Sequence, residues 1–220
     1  MFHLSTLKTV ALAALIGVGL FANTSTARAG TETLTVAGGC FWCVESDFES
    51  VPGVKNVVSG FAGGKTKNPT YKQVKAGGTG HYEAVQIIFD NNRVSRDTIL
   101  SMFFRSIDPT DAGGQFCDRG PNYRSAIFAA GGAQKAAATK AKADAQAALG
   151  KKIVTPVLGA SAFTPADAYH QGYYKSSERL AVTSVGVNVK KSVAYKRYRN
   201  KCGRDQRVKQ LWGSAAPFAK

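Results

Sequence analysis

Apolar and polar residues alternate from Thr31 to Ala37, and the run is rich in Thr and Val, which predicts a strand. Gly38-Gly39 breaks it. From Cys40 to Ser50 the apolar residues Phe41, Val44 and Phe48 recur at helical spacing, and Pro52-Gly53 ends that helix. Val54 to Ser59 reads as a second strand. Residues 61–80, with five glycines and one proline, read as a loop. Glu83 to Phe89 is a strand bounded by Asp90-Asn91-Asn92. Ser95 to Ile107 is a helix with Ser95 as its cap and Ile99, Met102 and Phe103 on one face. Asp108 to Asn122 is a long loop and Ser125 to Ala130 a strand. The Ala- and Lys-rich run Gln134 to Leu149 is a helix by propensity, ended by Gly150, and reads as an exposed cover with no chemical role. Val154 to Leu158 is a further strand, which Pro156 confines to an edge. Thr164-Pro165-Ala166-Asp167 caps a short turn leading to His170. Beyond Ser176 the pattern weakens into a polar, basic tail. There is no internal repeat. Strands alternating with helices predict an α/β (α+β) fold: a two-layer sandwich of a mixed sheet with packed helices, a ferredoxin-like core and a long, coil-rich C-terminal tail.

The first thirty residues change the picture of what folds. Lys8 precedes an apolar run from Val10 to Phe21, and Ala27-Arg28-Ala29 has the small-x-small form of a cleavage site. The run is shorter than the roughly 20 apolar residues of a membrane span. The expectation is a secretory signal over residues 1–29, cleaved after Ala29, and a single soluble domain over residues 30–220, periplasmic or secreted and without a stable membrane anchor. The formal net charge of +15 loses Lys8 and Arg28 on cleavage and becomes +13. The cations are spread along the chain and peak between Lys190 and Lys209, so they read as a solvated basic face, and no nucleic-acid partner is expected. The four cysteines Cys40, Cys43, Cys117 and Cys202 allow three full pairings in an oxidising compartment. A domain of this length folds without staples, so redox chemistry competes with stapling.

Chemistry concentrates in Gly38-Gly39-Cys40-Phe41-Trp42-Cys43-Val44-Glu45, where a strand hands over to a helix. A cysteine at the first turn of a helix feels unpaired N–H groups and the positive end of the dipole, which favour thiolate. Phe41 and Trp42 can wall the sulfur, although each taken alone is as well explained as a core aromatic. Cys40 and Cys43 also form a C-x-x-C, as in thioredoxin-type redox pairs. Zinc is a weaker reading, because no second Cys or His pair stands at ligand spacing.

Gly39-Cys40-Phe41-Trp42 resembles the nucleophile motif of A-type peptide-methionine sulfoxide reductases, and further segments follow in family order. Residues 59–64, Ser-Gly-Phe-Ala-Gly-Gly, resemble its G-Y-A-G-G loop. Residues 80–85, Gly-His-Tyr-Glu-Ala-Val, resemble its G-H-x-E-A-V strand. Asp108-Pro109-Thr110 and the segment Asp118 to Ser125 resemble its D-P-T and D-x-x-x-x-Y-R-S segments, and Tyr169 to Tyr173 its Y-H-Q-x-Y stretch. The resemblance covers about Thr33 to Tyr174. It implies that Cys40 attacks the sulfur of a methionine S-sulfoxide, free or in a protein, while Glu83 acts as general acid with a carboxyl pKa raised by burial. It implies that Tyr123 hydrogen-bonds the sulfoxide oxygen, that Asp118 orients the polar loop, and that Phe41 and Trp42 hold the methyl group. His170 would help shape the pocket, and His81 would orient Glu83. Cys40 would be left as a sulfenic acid, a second thiol would condense with it, and a thioredoxin-like protein would open the disulfide. No metal or organic cofactor is implied, and a monomer is expected.

Some positions depart from the family pattern. Phe61 stands where a tyrosine is expected to contact the oxygen, and Tyr82 or a water is the expected substitute. Cys43 stands where glycine is common. The resolving thiol is expected to be Cys202, in the basic tail, with Cys43 or Cys117 as alternative resolving or relay thiols; a Cys40–Cys43 bridge would be strained within one regular turn. An exported thiol–disulfide oxidoreductase using Cys40 and Cys43 is the main competing reading, and a stapled secreted binding module the non-enzymatic one.

Overall fold

The computed structural model describes residues 30–219, so the signal-like segment at 1–29 lies outside the described residues. Strand β1 (Thr31–Gly38) leads into helix α1 (Phe41–Glu49), strand β2 (Val54–Ala62), helix α2 (Tyr71–Ala76), strand β3 (Tyr82–Asp90) and helix α3 (Arg96–Phe104). A small hairpin of β4 (Gly114–Gln115) and β5 (Asp118–Arg119) precedes a 3-10 turn over Pro121–Tyr123, strand β6 (Ser125–Ala129) and the long helix α4 (Gly131–Leu149). The chain continues through β7 (Val157–Gly159), β8 (Phe163–Pro165), 3-10 turns at Ala168–His170 and Tyr173–Lys175, the hairpin β9 (Arg179–Thr183) and β10 (Gly186–Lys190), and helices α5 (Lys191–Lys201) and α6 (Arg204–Trp212).

Six strands form one mixed sheet in the order β7-β6-β1-β3-β2-β8, antiparallel except at the parallel β6–β7 edge. The pleat sorts the side chains. Leu34 and Val36 of β1, Val57 of β2, and Val85, Ile87 and Phe89 of β3 meet Phe41, Val44 and Phe48 of α1 and Ile99 and Phe103 of α3 in the main core. Residues of the opposite parity, Ala37, Ala62, Tyr82, Ala84 and Phe128, form a smaller cluster on the other face. Glu83 shares the parity of Val85, so its side chain lies on the helix-bearing face, and Tyr82 does not.

The elements form where local signals agree. The Ser95 side chain accepts from the Thr98 amide at 3.1 Å and caps α3. Pro156 precedes β7 directly, and β7 is an edge strand, since proline cannot donate to a central ladder. Among the described residues no helix is long and apolar enough to cross a membrane.

Three expectations are corrected. The loop expected at 61–80 contains α2, started by a capping box in which Thr70 accepts from the Gln73 amide and Gln73 accepts from the Thr70 amide. The loop expected at 108–122 contains the β4–β5 hairpin. The tail expected to be coil-rich is a hairpin and two helices. Its helical period is carried by charged residues: Lys191, Ala194, Tyr195 and Arg199 are buried on α5, and Arg204, Val208 and Trp212 on α6. Long cationic side chains bury their stems and pair their heads, as Lys191 does with Glu178 at 2.6 Å.

Phe48 anchors α1 in the core, fully buried, with its ring 5.3 Å from Phe218 near the end of the chain. Phe48→Ala is expected to cost about 3–5 kcal/mol in urea unfolding. A loss below about 1 kcal/mol would show that α1 is not held in this way.

Candidate active site

The site is built at the end of β1. Gly39 turns the backbone at φ +78°, and a Cβ placed there would sit 2.6 Å from Gln115 Cβ, so glycine is required. The turn delivers Cys40 as the N-cap of α1, with non-helical φ −52° and ψ 116°. The first amide of the helix, Phe41 N–H, donates to Glu83 Oε2 at 3.1 Å. The helix N-terminus is therefore directed at the carboxyl of β3, and the catalytic candidates Cys40 and Glu83 meet where two adjacent strands end beside the helix start.

Burial sets the protonation of this pair. Glu83 is 2% exposed. Loss of solvent pushes its carboxyl up to about 8, with the Phe41 amide opposing and the Asp118 charge assisting, so it holds its proton at neutral pH. The expectation of a readily ionised, exposed Cys40 is corrected. Cys40 is 6% exposed, and burial, then its hydrogen bond to Cys43, push its thiol well up. Cys43 moves down, through that hydrogen bond first, with Arg204 and Arg199 assisting and burial opposing. Within the pair Cys40 holds its proton the more tightly, with Glu83 and Asp118 acting on Cys40 and the guanidiniums on Cys43.

The aromatic wall is continuous. Phe41 lies 5.9 Å from Phe61 and 5.4 Å from His170, ring centre to ring centre. Trp42 stacks on Tyr173 at 3.8 Å and on His170 at 5.7 Å. Burial pushes His170 down to about 4, so it is a neutral part of that wall. Phe61 pairs with Glu83 across the β2–β3 ladder and fills core space. Both ring nitrogens of His81 bond to the loop before α2 and not to Glu83: Nε2 donates to Thr66 O at 2.8 Å and Nδ1 accepts from Gly64 N–H at 3.2 Å.

The polar side of the site comes from four elements. Tyr123 ends the 3-10 turn after β5, and burial, then Glu83 and Asp118, keep its phenol protonated. Asp118 on β5 accepts a hydrogen bond from Tyr198 of α5, and burial raises its carboxyl. Tyr82 is corrected: it packs against Phe128 at 5.6 Å and Arg124 at 4.9 Å on the far side of the sheet, because adjacent residues of a strand face opposite ways. Tyr71 of α2 brings a further phenol to this side of the site, which burial and then the charges of Glu83, Tyr123, Cys40 and Asp118 hold neutral. Tyr71 also lies 4.3 Å from His170. The sequence signal for it was the Thr70–Gln73 capping box, which places the next residue at the first turn of a helix.

The resolving thiol is corrected too. Cys202 is bonded to Cys117, with Cα atoms 4.8 Å apart, and this bridge ties the β5 hairpin to the end of α5. Cys40 and Cys43 are the free cysteines. Cys40 is the cap residue of α1, and its carbonyl accepts from the Cys43 amide at 3.1 Å.

The family model described as peptide methionine sulfoxide reductase matches residues 32–210. Peptide methionine sulfoxide reductase MsrA 2 of Rhizobium meliloti is 48% identical over 180 residues, which cover 82% of this chain and 83% of that protein. Methionine sulfoxide reductase A of Corynebacterium diphtheriae has a solved structure that superposes with a TM-score of 0.62 at 34% identity, over 73% of this chain and 83% of that one. Mxr1 of Saccharomyces cerevisiae in its reduced form gives 0.61 at 30% identity, over 65% and 83%. With a nucleophile turn, a protonated carboxyl and matches of this extent, the chain belongs to the peptide methionine sulfoxide reductase family of oxidoreductases.

Proposed function

We propose that this chain reduces methionine S-sulfoxide, free or within oxidised proteins, to methionine, with Cys40 as nucleophile and Glu83 as general acid. The S handedness rests on the family resemblance. The observation that carries the reading is the buried Glu83 carboxyl bonded to the amide of Phe41, the residue after Cys40, where burial pushes it up to about 8.

Each group has a chemical task. Phe41 and Trp42, backed by His170 and Phe61, bound an apolar slot for the methyl group. Tyr123 and Tyr71 donate to the sulfoxide oxygen, and Asp118, held by Tyr198, orients the polar loop. As Cys40 bonds to the sulfoxide sulfur, its proton passes to Cys43 and the proton of Glu83 goes to the oxygen. Methionine leaves and Cys40 remains as a sulfenic acid. Cys43 then displaces the hydroxyl, so two thiols and one sulfoxide give one disulfide, methionine and water. A thioredoxin-like dithiol protein reopens the bridge. The signal-like pattern of residues 1–29 supports reading this repair as periplasmic or secreted. We read the run β6-β1-β3-β2 with α1 and α3 as a two-layer, ferredoxin-like core. A thiol–disulfide oxidoreductase is less favoured, because the family model and the relatives that match this chain are methionine sulfoxide reductases.

Two measurements test this. Reduced protein mixed with one equivalent of a blocked methionine S-sulfoxide is expected to yield a Cys40–Cys43 disulfide by peptide mapping. Cys43→Ser is expected to release one methionine per chain and stop at the Cys40 sulfenic acid. A Cys40–Cys202 bridge as the first product would contradict the assignment. Glu83 is active while protonated, so the rate of the sulfoxide step is expected to fall as pH rises through about 8. Glu83→Gln is expected to slow that step by about 10²–10⁴-fold and to remove this limb of the profile. A Gln variant with wild-type rate and profile would exclude Glu83 as the acid.

A further inference from the structure

The tail helices approach the cysteine pair from behind. Arg204, the first residue of α6, is 2% exposed and is the largest fully buried side chain among the described residues. Its Nη1 donates to Gly38 O at 3.1 Å, on the turn that delivers Cys40, and its Nη2 donates to Ser106 O at 2.9 Å. The guanidinium lies 4.8 Å over the Phe116 ring. Its Nε points at Asp47 Oδ2 from 3.8 Å, and neither of these two atoms has a hydrogen-bond partner. Asp47 stands one turn after Cys43 on α1, so the two side chains share a helix face. Arg199 of α5 binds the other oxygen, Asp47 Oδ1, at 2.7 Å and divides itself with Asp205 at 2.6 Å. Two guanidiniums therefore converge on one buried carboxylate, while Asp205 lies nearer the rim at 20% exposure. A buried cation without a full counter-charge favours an anion nearby.

We infer that Arg204, backed by Arg199, is the positioning residue that holds Cys43 ready as the thiolate of the resolving step. This rests on the reading of Cys43 as the resolving thiol. Around Cys43 stand the Cys40 thiol, Glu83 from β3, Tyr195 and Tyr198 from α5, and the three charges Asp47, Arg199 and Arg204. The two phenols are kept neutral by burial, and Glu83 is neutral below about 8. Burial also pushes Asp47 up, with the guanidiniums of Arg199 and Arg204 opposing. In the step itself an electron pair on the Cys43 sulfur forms the S–S bond as the S–O bond of the Cys40 sulfenic acid breaks. Cys43 is oxidised, Cys40 is reduced, and the proton that Cys43 took from Cys40 goes to the departing hydroxide, which leaves as water. The tail thus contributes charge to the resolving step, and its cysteine is occupied in a bridge.

The test compares the mature wild-type protein with Arg204→Met and Arg204→Lys. Each is reduced at the active pair and reacted once with a blocked methionine S-sulfoxide over a pH series, and the quenched Cys40–Cys43 disulfide is measured by mass spectrometry. One lost neighbouring cation moves a thiol by about one pH unit or more. Arg204→Met is therefore expected to shift the disulfide-formation profile to higher pH and to slow it about tenfold at neutral pH. Arg204→Lys, which keeps the charge, is expected to restore the wild-type profile. A folded Met variant with the wild-type profile would overturn the inference while leaving Cys43 as the resolving thiol. A wild-type product lacking Cys43 would overturn the reading beneath it. Should the Met variant not fold, thiolate absorbance in Cys40→Ser decides: Cys43 titrating below the ordinary thiol value supports the inference, and at or above it overturns it.

Discussion

The amide of Phe41 pointing at the Glu83 carboxyl is the contact on which the site depends. It joins the start of α1 to the middle of the sheet, so the nucleophile and the acid are fixed by rigid elements and not by loops. It also forces a choice of charge. A carboxylate placed this deep would lose its hydration with only one helix amide in return, and a second acid, Asp118, is near. The neutral form is the stable one. The same dryness keeps Cys40 as a thiol, so its activation has to come from the partner that receives its proton, and Cys43 is the group in hydrogen-bond contact.

The C-terminal third of the chain completes this arrangement. Tyr198 of α5 donates to Asp118. Arg204 of α6 holds the carbonyl just before the nucleophile turn. The Cys117–Cys202 bridge fastens the strand that carries Asp118 to the end of α5. Glu45, one turn further along α1 than Phe41, accepts from the Gly172 amide at 2.6 Å and from Ser59 Oγ at 2.9 Å, and so sets the loop that brings His170 and Tyr173 against Trp42. Burial raises its carboxyl to about 7, with those two hydrogen bonds opposing. The walls of the slot are thus held by buried polar contacts that each need their partner, and a loss at one is felt at the others.

What the sequence discloses follows the kind of signal each element carries. The strands β1, β2 and β3, and the helices α1, α3 and α4, bury apolar residues at clean periods of two or 3.6, and they stand within a few residues of their expected places. Cys40 was legible as a candidate because a glycine turn before a cysteine at a helix start leaves a mark in one dimension, whereas Glu83, by its own pattern a strand-edge charge, was legible only through the family motif. The tail was not, because its buried faces are made of Arg, Lys and Tyr, whose burial depends on partners far away in sequence, such as Asp47 for Arg199. Tyr71 was hidden inside a glycine-rich stretch by a helix of six residues. Tyr82 was expected to replace the hydroxyl missing at Phe61, but a strand turns adjacent residues to opposite faces, and Tyr82 lies on the face away from Glu83. The resolving partner turned on the pairing of Cys117 with Cys202 across 85 residues, which spacing alone does not encode.

The claim beneath the whole account is that Glu83 carries a proton at neutral pH. Infrared difference spectroscopy of the reduced protein against Glu83→Gln reads this directly. The account predicts a protonated-carboxyl C=O band at neutral pH that is absent in the variant and bleaches as pH rises through about 8. A difference spectrum showing only carboxylate at neutral pH would contradict it.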